Sequence, residues 1–201
     1  MDTAHYHFLA WRRLARELGT DLTEQDNERL KGVSRMQSLE MILELANKQL
    51  PTAEKEALAT RKNGWFVDYI EALKPEEIFP GVKELIAELR ASGIRIALAS
   101  SSKNAQRVID LLGIGPMFDT MVDGTMITHT KPDPEIFLLA ASRLGIPPAE
   151  CLVFEDAEAG VEAALAAGMK CVGVGVPQQL GKAHKLVART GDFQPAWLHQ
   201  F

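Results

Sequence analysis

Three polar runs in the 201-residue sequence carry side chains that together could handle a phosphate: Ser100-Ser101-Ser102-Lys103-Asn104, Lys131 within Thr130-Lys131-Pro132-Asp133-Pro134, and Glu155-Asp156. The first run stands where a predicted helix begins. Its hydroxyls, free backbone N–H groups and helix N-terminus make an anion site; capping of that helix by Ser102 is the structural alternative. In the second, prolines restrict the backbone around Lys131, against the alternative of a solvated loop lysine. In the third, adjacent carboxylates are costly to hold side by side unless a cation or water neutralises them. Oxygen ligands of that kind suit Mg²⁺; an N-cap Asp beside a solvated Glu is the alternative. In combination the runs describe a phosphate held by Ser and Lys beside a Mg²⁺ held by carboxylates, the electrostatic apparatus of phosphoryl transfer.

These runs have to be brought together by the elements that carry them. IRIALAS, FDTMVDG, ECLVFED and KCVGVGV read as apolar strands, separated by the helices KNAQRVIDLLG, DPEIFLLAASRLG and EAGVEAALAAG. Such alternation predicts an α/β fold with a doubly wound parallel sheet. Ligands of an open sheet of this kind bind beyond the C-terminal ends of its strands, where the three polar runs stand. Residues 1–77 instead read as helix throughout: a first helix stopped at Gly19, a short second one closing on Gly32, a third from the capping-box pattern Ser34-Arg35-Met36-Gln37 to about Asn47, and a fourth from Pro51 to about Leu73. The expected organisation is a helical domain over 1–77 and an α/β core over 78–201.

A formal net charge of −5 argues against nucleic acid as the main partner. No apolar run reaches the length of a membrane span, and no signal peptide is visible, so a cytoplasmic protein is expected. Cys151 and Cys171 sit in apolar, strand-like surroundings and read as buried thiols. The five histidines show no metal-binding spacing, and no strand ahead of the helical half ends in a nucleophilic Asp.

The Ser100, Lys131 and Glu155-Asp156 constellation resembles the second, third and fourth motifs of the haloacid dehalogenase superfamily. DTAHYHFLAW, LKGVSR at 30–35, RKN at 61–63, ALASSSKN at 97–104, KPDPEIF and EDAEAG are similar to its β-phosphoglucomutase branch. The resemblance covers nearly the whole chain. It implies a Rossmann-like core, a helical cap, and a monomer that interconverts β-glucose 1-phosphate and glucose 6-phosphate with Mg²⁺; a capped sugar-phosphate phosphatase and a non-catalytic sugar-phosphate binder are the other readings. It implies that Ser100 and Lys131 hold the transferring phosphate and that Glu155 and Asp156 hold the metal. Arg35, with Ser102, Lys103 and Asn104 of the 101–104 loop begun by Ser101, would grip the other phosphate. Lys31, Gly32, Val33 and Ser34 would form a specificity loop near Ser38 and Lys62, with Trp11 against the sugar. His7 and Thr3 would couple cap closure to an acid/base group. Phe66 stands where relatives can carry Tyr. The family's first motif, an apolar strand ending D-x-D-G, is expected just before DTAHYHF and is not found there, Asp2 matching a further Asp instead. The expectation is therefore a sheet with a gap and a chain that is inactive as given.

Overall fold

The computed structural model describes residues 3–201; Asp2 lies outside the described residues. The first half is helical. α1 (Thr3–Glu17) buries Phe8, Trp11, Leu14 and Ala15 along one face at helical spacing, and Gly19 leaves it with φ of +89°. α2 (Glu24–Glu28) is held by a reciprocal Thr23/Asp26 capping box, and α3 (Arg35–Leu45) by one between Ser34 and Gln37. α2 is shorter than the sequence predicts. It stops at Glu28 rather than Gly32, and the released segment forms the turn that presents Lys31 to Ser34. α4 (Thr52–Ile70) packs along α1. Phe8, Trp11, Leu14, Leu22, Leu39, Ile42 and Leu43 close one apolar cluster among these helices.

The second half alternates helix and strand. In order it runs α5 (Val82–Ala91), β1 (Ala97–Ala99), α6 (Ala105–Leu112), β2 (Thr120–Val122), α7 (Glu135–Leu144), β3 (Leu152–Glu155), α8 (Glu158–Ala166), β4 (Lys170–Val174), α9 (Pro177–Leu180) and β5 (Lys185–Val187). All strand pairings are parallel, the α/β architecture that the alternation predicts. Side chains alternate across the sheet as a strand requires. Ala97, Ala99, Val122, Val153 and Cys171 enter a cluster with α7 and α8. Leu152, Phe154, Val172 and Val187 enter one with Leu85 and Leu89 of α5 and with Phe193. The strand at 185–187 has no counterpart in the sequence reading, because three residues are too few to show a period.

Among the described residues the strands form two sheets rather than one, β1-β2 and β3-β4-β5. Among the described strands β1 pairs with β2 and β3 with β4, and both send side chains into the same cluster beneath α7 and α8. None of the described helices is long and apolar enough to cross a membrane.

Candidate active site

The acidic run ends β3 and enters α8. Glu155 is buried, and its Oε2 accepts from Lys131 Nζ at 2.7 Å while its Oε1 accepts from the Ala157 backbone N–H at 3.2 Å. Lys131 is also buried, with its ammonium 4.8 Å from the centroid of the Phe137 ring on α7. The sequence reading assigns neutralisation of Glu155 to a metal or water; here Lys131 provides it directly. The close seat requires a glycine at 160, where a Cβ would fall 2.0 Å from the Glu155 Cδ. Asp156, next along the chain, has an exposed side chain within the crevice. Desolvation by the crevice walls, then the neighbouring Glu155 charge, push its pKa up, against the opposing pull of Lys131 and Lys31. A crevice that resists a further bare negative charge, beside two carboxylates offering oxygens, suits a divalent cation such as Mg²⁺.

The serine run follows β1. Ser102 N donates to Ser100 Oγ at 3.2 Å, and Asn104 N donates to Ser102 Oγ at 3.2 Å. Ser102 thus holds the turn one step before α6, whose N-cap is Asn104. Ser101 faces the helical half, and its Oγ donates to the Gly32 carbonyl at 2.9 Å. Gly32 has φ of +78°, and a Cβ there would stand 3.3 Å from Ala157 Cβ and 3.8 Å from Lys131 Cδ. Only a glycine allows the 31–34 turn to lie flat on the strand ends. Lys31 is drawn aside to Glu28 at 2.7 Å.

A second positive centre lies under the helical half. Lys62 is 2% exposed, with Nζ 2.8 Å from His7 Nδ1 and 4.2 Å from the Trp11 ring centroid. An ammonium can only donate, so with Lys62 charged Nδ1 accepts and the ring proton belongs on Nε2. His7 stacks on Phe66 at 3.9 Å between centroids, so the phenyl ring serves here as a packing face. Burial, then the charges of Lys62 and Arg35, hold His7 well below its ordinary pKa. Burial, then Arg35, does the same to Lys62. Arg35, lowered by burial, donates through Nη2 to Asn63 Oδ1 at 2.8 Å. Among the described residues no carboxylate pairs with Arg35 or Lys62. Uncompensated cations around a cavity call for an anion.

One cavity of about 1110 Å³ joins these centres. Thr3, His7, Trp11, Lys31, Gly32, Val33, Ser34, Arg35, Ser38 and Lys62 line it from the helical half. Ser100, Ser101, Ser102, Lys103, Lys131, Glu155 and Asp156 line it from the α/β half. Asn104 is outside the lining and instead donates through Nδ2 to Asn63 Oδ1 at 2.8 Å. Ser38 is buried, its Oγ donating to the Ser34 carbonyl. The sequence reading leaves out two residues that stand outside the cavity lining and bond residues that form it. Asn63, inside the quoted RKN run, joins the two halves, and Gln37, quoted only for its cap, accepts at Oε1 from Thr130 Oγ1 at 2.8 Å. The RKN run was a signal for the first; the second needed the fold.

The family model described as "Hydrolase: haloacid dehalogenase-like hydrolase" matches residues 1–168. The chain belongs to the haloacid dehalogenase-like hydrolase family. Among members of the haloacid dehalogenase-like hydrolases and their neighbours, the chain is 44% identical over 201 residues to the beta-phosphoglucomutase of Bacillus subtilis, covering 99% of this chain and 89% of that one. The crystal structure of beta-phosphoglucomutase from Clostridium difficile superposes with a TM-score of 0.94 at 40% identity, covering 99% of this chain and 90% of that one. A phosphorylated carbohydrates phosphatase of Thermotoga maritima is 35% identical over 174 residues, covering 85% of this chain and 77% of that one.

Proposed function

We propose that this protein is a β-phosphoglucomutase-type isomerase that interconverts β-glucose 1-phosphate and glucose 6-phosphate. The single observation that carries the reading is the seat of the 31–34 turn on the strand ends, where Ser101 bonds the Gly32 carbonyl above Lys131 and Ala157. A turn seated there shields the reacting groups from water, which favours transfer to a sugar hydroxyl over hydrolysis. The 44% identity to the Bacillus subtilis beta-phosphoglucomutase supports it further. The phosphatase reading, transfer to water, draws support from the 35% identity to the Thermotoga maritima phosphatase.

In this reading residues 1–77 act as a cap over the core at 78–201. Ser100 and Lys131 hold the transferring phosphate, Lys131 remaining near Glu155 to balance its charge. Glu155 and Asp156 would hold Mg²⁺, which when bound neutralises charge on the phosphoryl oxygens. Arg35, Ser102 and Lys103 grip the phosphate that stays on the sugar, the arginine fork suiting that task, while Asn104, outside the cavity lining, serves through its bond to Asn63 rather than as a grip of its own. Lys31, Gly32, Val33, Ser34, Ser38 and Lys62 shape the pocket around the sugar, with Trp11 as its apolar face. His7 and Thr3 steer the group that moves the hydroxyl proton. We assign the nucleophile to a further parallel strand between β1 and β3, bearing an aspartate at its C-terminal end. The aspartyl phosphate donates to one sugar hydroxyl, and the bisphosphate returns its other phosphate to the aspartate. The edges of β1 and β3 that no described strand pairs, facing one apolar cluster, support that assignment. The protein is taken to act as a cytoplasmic monomer.

The test measures isomerisation and phosphate release side by side, in the chain as given and in a fusion carrying an apolar strand that ends D-x-D-G. Turnover is expected only in the fusion, with isomerisation the faster reaction. Phosphate release outpacing isomerisation would replace the mutase reading with the phosphatase one.

A further inference from the structure

Asn63 carries an acceptor that donors from both halves of the chain share. It lies half-buried on α4, and its Oδ1 accepts from Arg35 Nη2 at the start of α3 and from Asn104 Nδ2 at the start of α6, both at 2.8 Å. The backbone of Asn104 is in turn bonded to Ser102 Oγ. One oxygen therefore aligns the guanidinium of the helical half with the serine run of the α/β half.

The choice of an amide has a chemical consequence. A carboxylate at 63 would bind Arg35 more strongly through a charge-assisted bond, but it would also cancel the charge. An amide orients the guanidinium and leaves its positive charge for something else. Next along α4 is Lys62, buried and likewise without a carboxylate partner among the described residues. The cavity thus keeps two cations uncancelled, one of them aimed by a neutral group.

We infer that Asn63 is a positioning residue for anion binding: it ties the Arg35 guanidinium, through Asn104, to the serine run of the α/β half, and as an amide it keeps Arg35 free to bind a dianion. The inference rests on the proposed phosphate-binding role of Arg35 and adds the residue that organises it.

The test uses the full chain as wild type, Asn63→Asp, Asn63→Ala and Arg35→Ala, with glucose 6-phosphate and inorganic phosphate as probes. Calorimetric affinity is measured at fixed ionic strength, alongside the ligand-free melting temperature. Asn63→Asp is expected to melt at or above the wild-type temperature, because its carboxylate pairs with Arg35, while losing at least about tenfold in affinity for both probes, as a tenfold change is the least that a displaced charge-assisted bond costs. Asn63→Ala is expected to weaken binding with a lower melting temperature. A merely structural residue would move affinity and melting together, so the split in Asn63→Asp is the decisive signature. Wild-type affinity in both Asn63 variants while Arg35→Ala loses binding would overturn the inference and leave the site intact. Asn63→Asp melting well below wild type would also overturn it. Identical behaviour of wild type and Arg35→Ala would instead overturn the phosphate-site reading itself.

Discussion

Lys131 Nζ and Glu155 Oε2 stand 2.7 Å apart, with side chains only 5% and 7% exposed. Each charge is tolerable because the other is there, and removing one strands its partner in a poorly solvated place, at a cost of about 3–5 kcal/mol. Lys131→Met should lose stability on that scale in urea titrations, and adding Glu155→Leu should recover much of it. Unchanged stability in the single variant would mean that water reaches the pair. His7 yields a pH prediction. Its folded pKa is depressed below the ordinary 6.5, first by burial and then by Lys62 and Arg35. Above about pH 6.5 both folded and unfolded chains hold a neutral imidazole there. Below it the unfolded chain takes up a proton that the folded one refuses, so stability falls as the pH drops from that value. Melting temperatures between pH 7.5 and 5.5 should show the decline (roughly one unit either side of the unfolded pKa), and His7→Asn should flatten it. An equal slope in the variant would place the proton uptake elsewhere.

At the scale of elements, the first turn of α3 joins the helical half to the loop before Lys131. Ser34 and Gln37 form its capping box, and the same Gln37 Oε1 accepts from Thr130, the residue before Lys131. A cap of this kind contributes about 1 kcal/mol. Ser34→Ala should therefore loosen the start of α3 alone. Gln37→Ala should loosen both the 31–38 segment and the 128–131 loop, because it removes the bond between them. Amide hydrogen exchange resolves the two, and a 128–131 loop unaffected by Gln37→Ala would show that Thr130 needs no partner. The box itself is legible as Ser34-Arg35-Met36-Gln37, since it is local in sequence. The bond to Thr130 is not, since it joins residues 93 apart. The same contrast holds around α2: its Thr23/Asp26 cap is local, but the close approach of Gly32 to Ala157 is not.

At the scale of the molecule, among the described residues β1 and β3 each end a sheet while sharing one apolar cluster. A strand set between them would pair on both sides and bury four or five apolar side chains. At roughly 1.5–3 kcal/mol each, their burial approaches 10 kcal/mol, as large as the whole stability of many domains, about 5–15 kcal/mol. The fusion carrying an added strand should accordingly unfold in one sharper transition at a clearly higher temperature than the chain as given. Equal melting curves would mean that β1 and β3 do not form a slot.

The sequence by itself determined the alternation of strands and helices, the helical first half, and the kinds of side chain at the strand ends, because period, caps and polar punctuation are local properties of the chain. It also carried Ser100, Lys131 and Asp156 to one cavity, since parallel strands finish on the same side of a sheet. Only the tertiary structure decided that Lys131 is the counter-charge of Glu155, that Phe66 stacks on His7, and that Asn63 binds the two halves together. Each of these depends on distance and burial between residues far apart in the chain, and neither quantity is written in spacing alone.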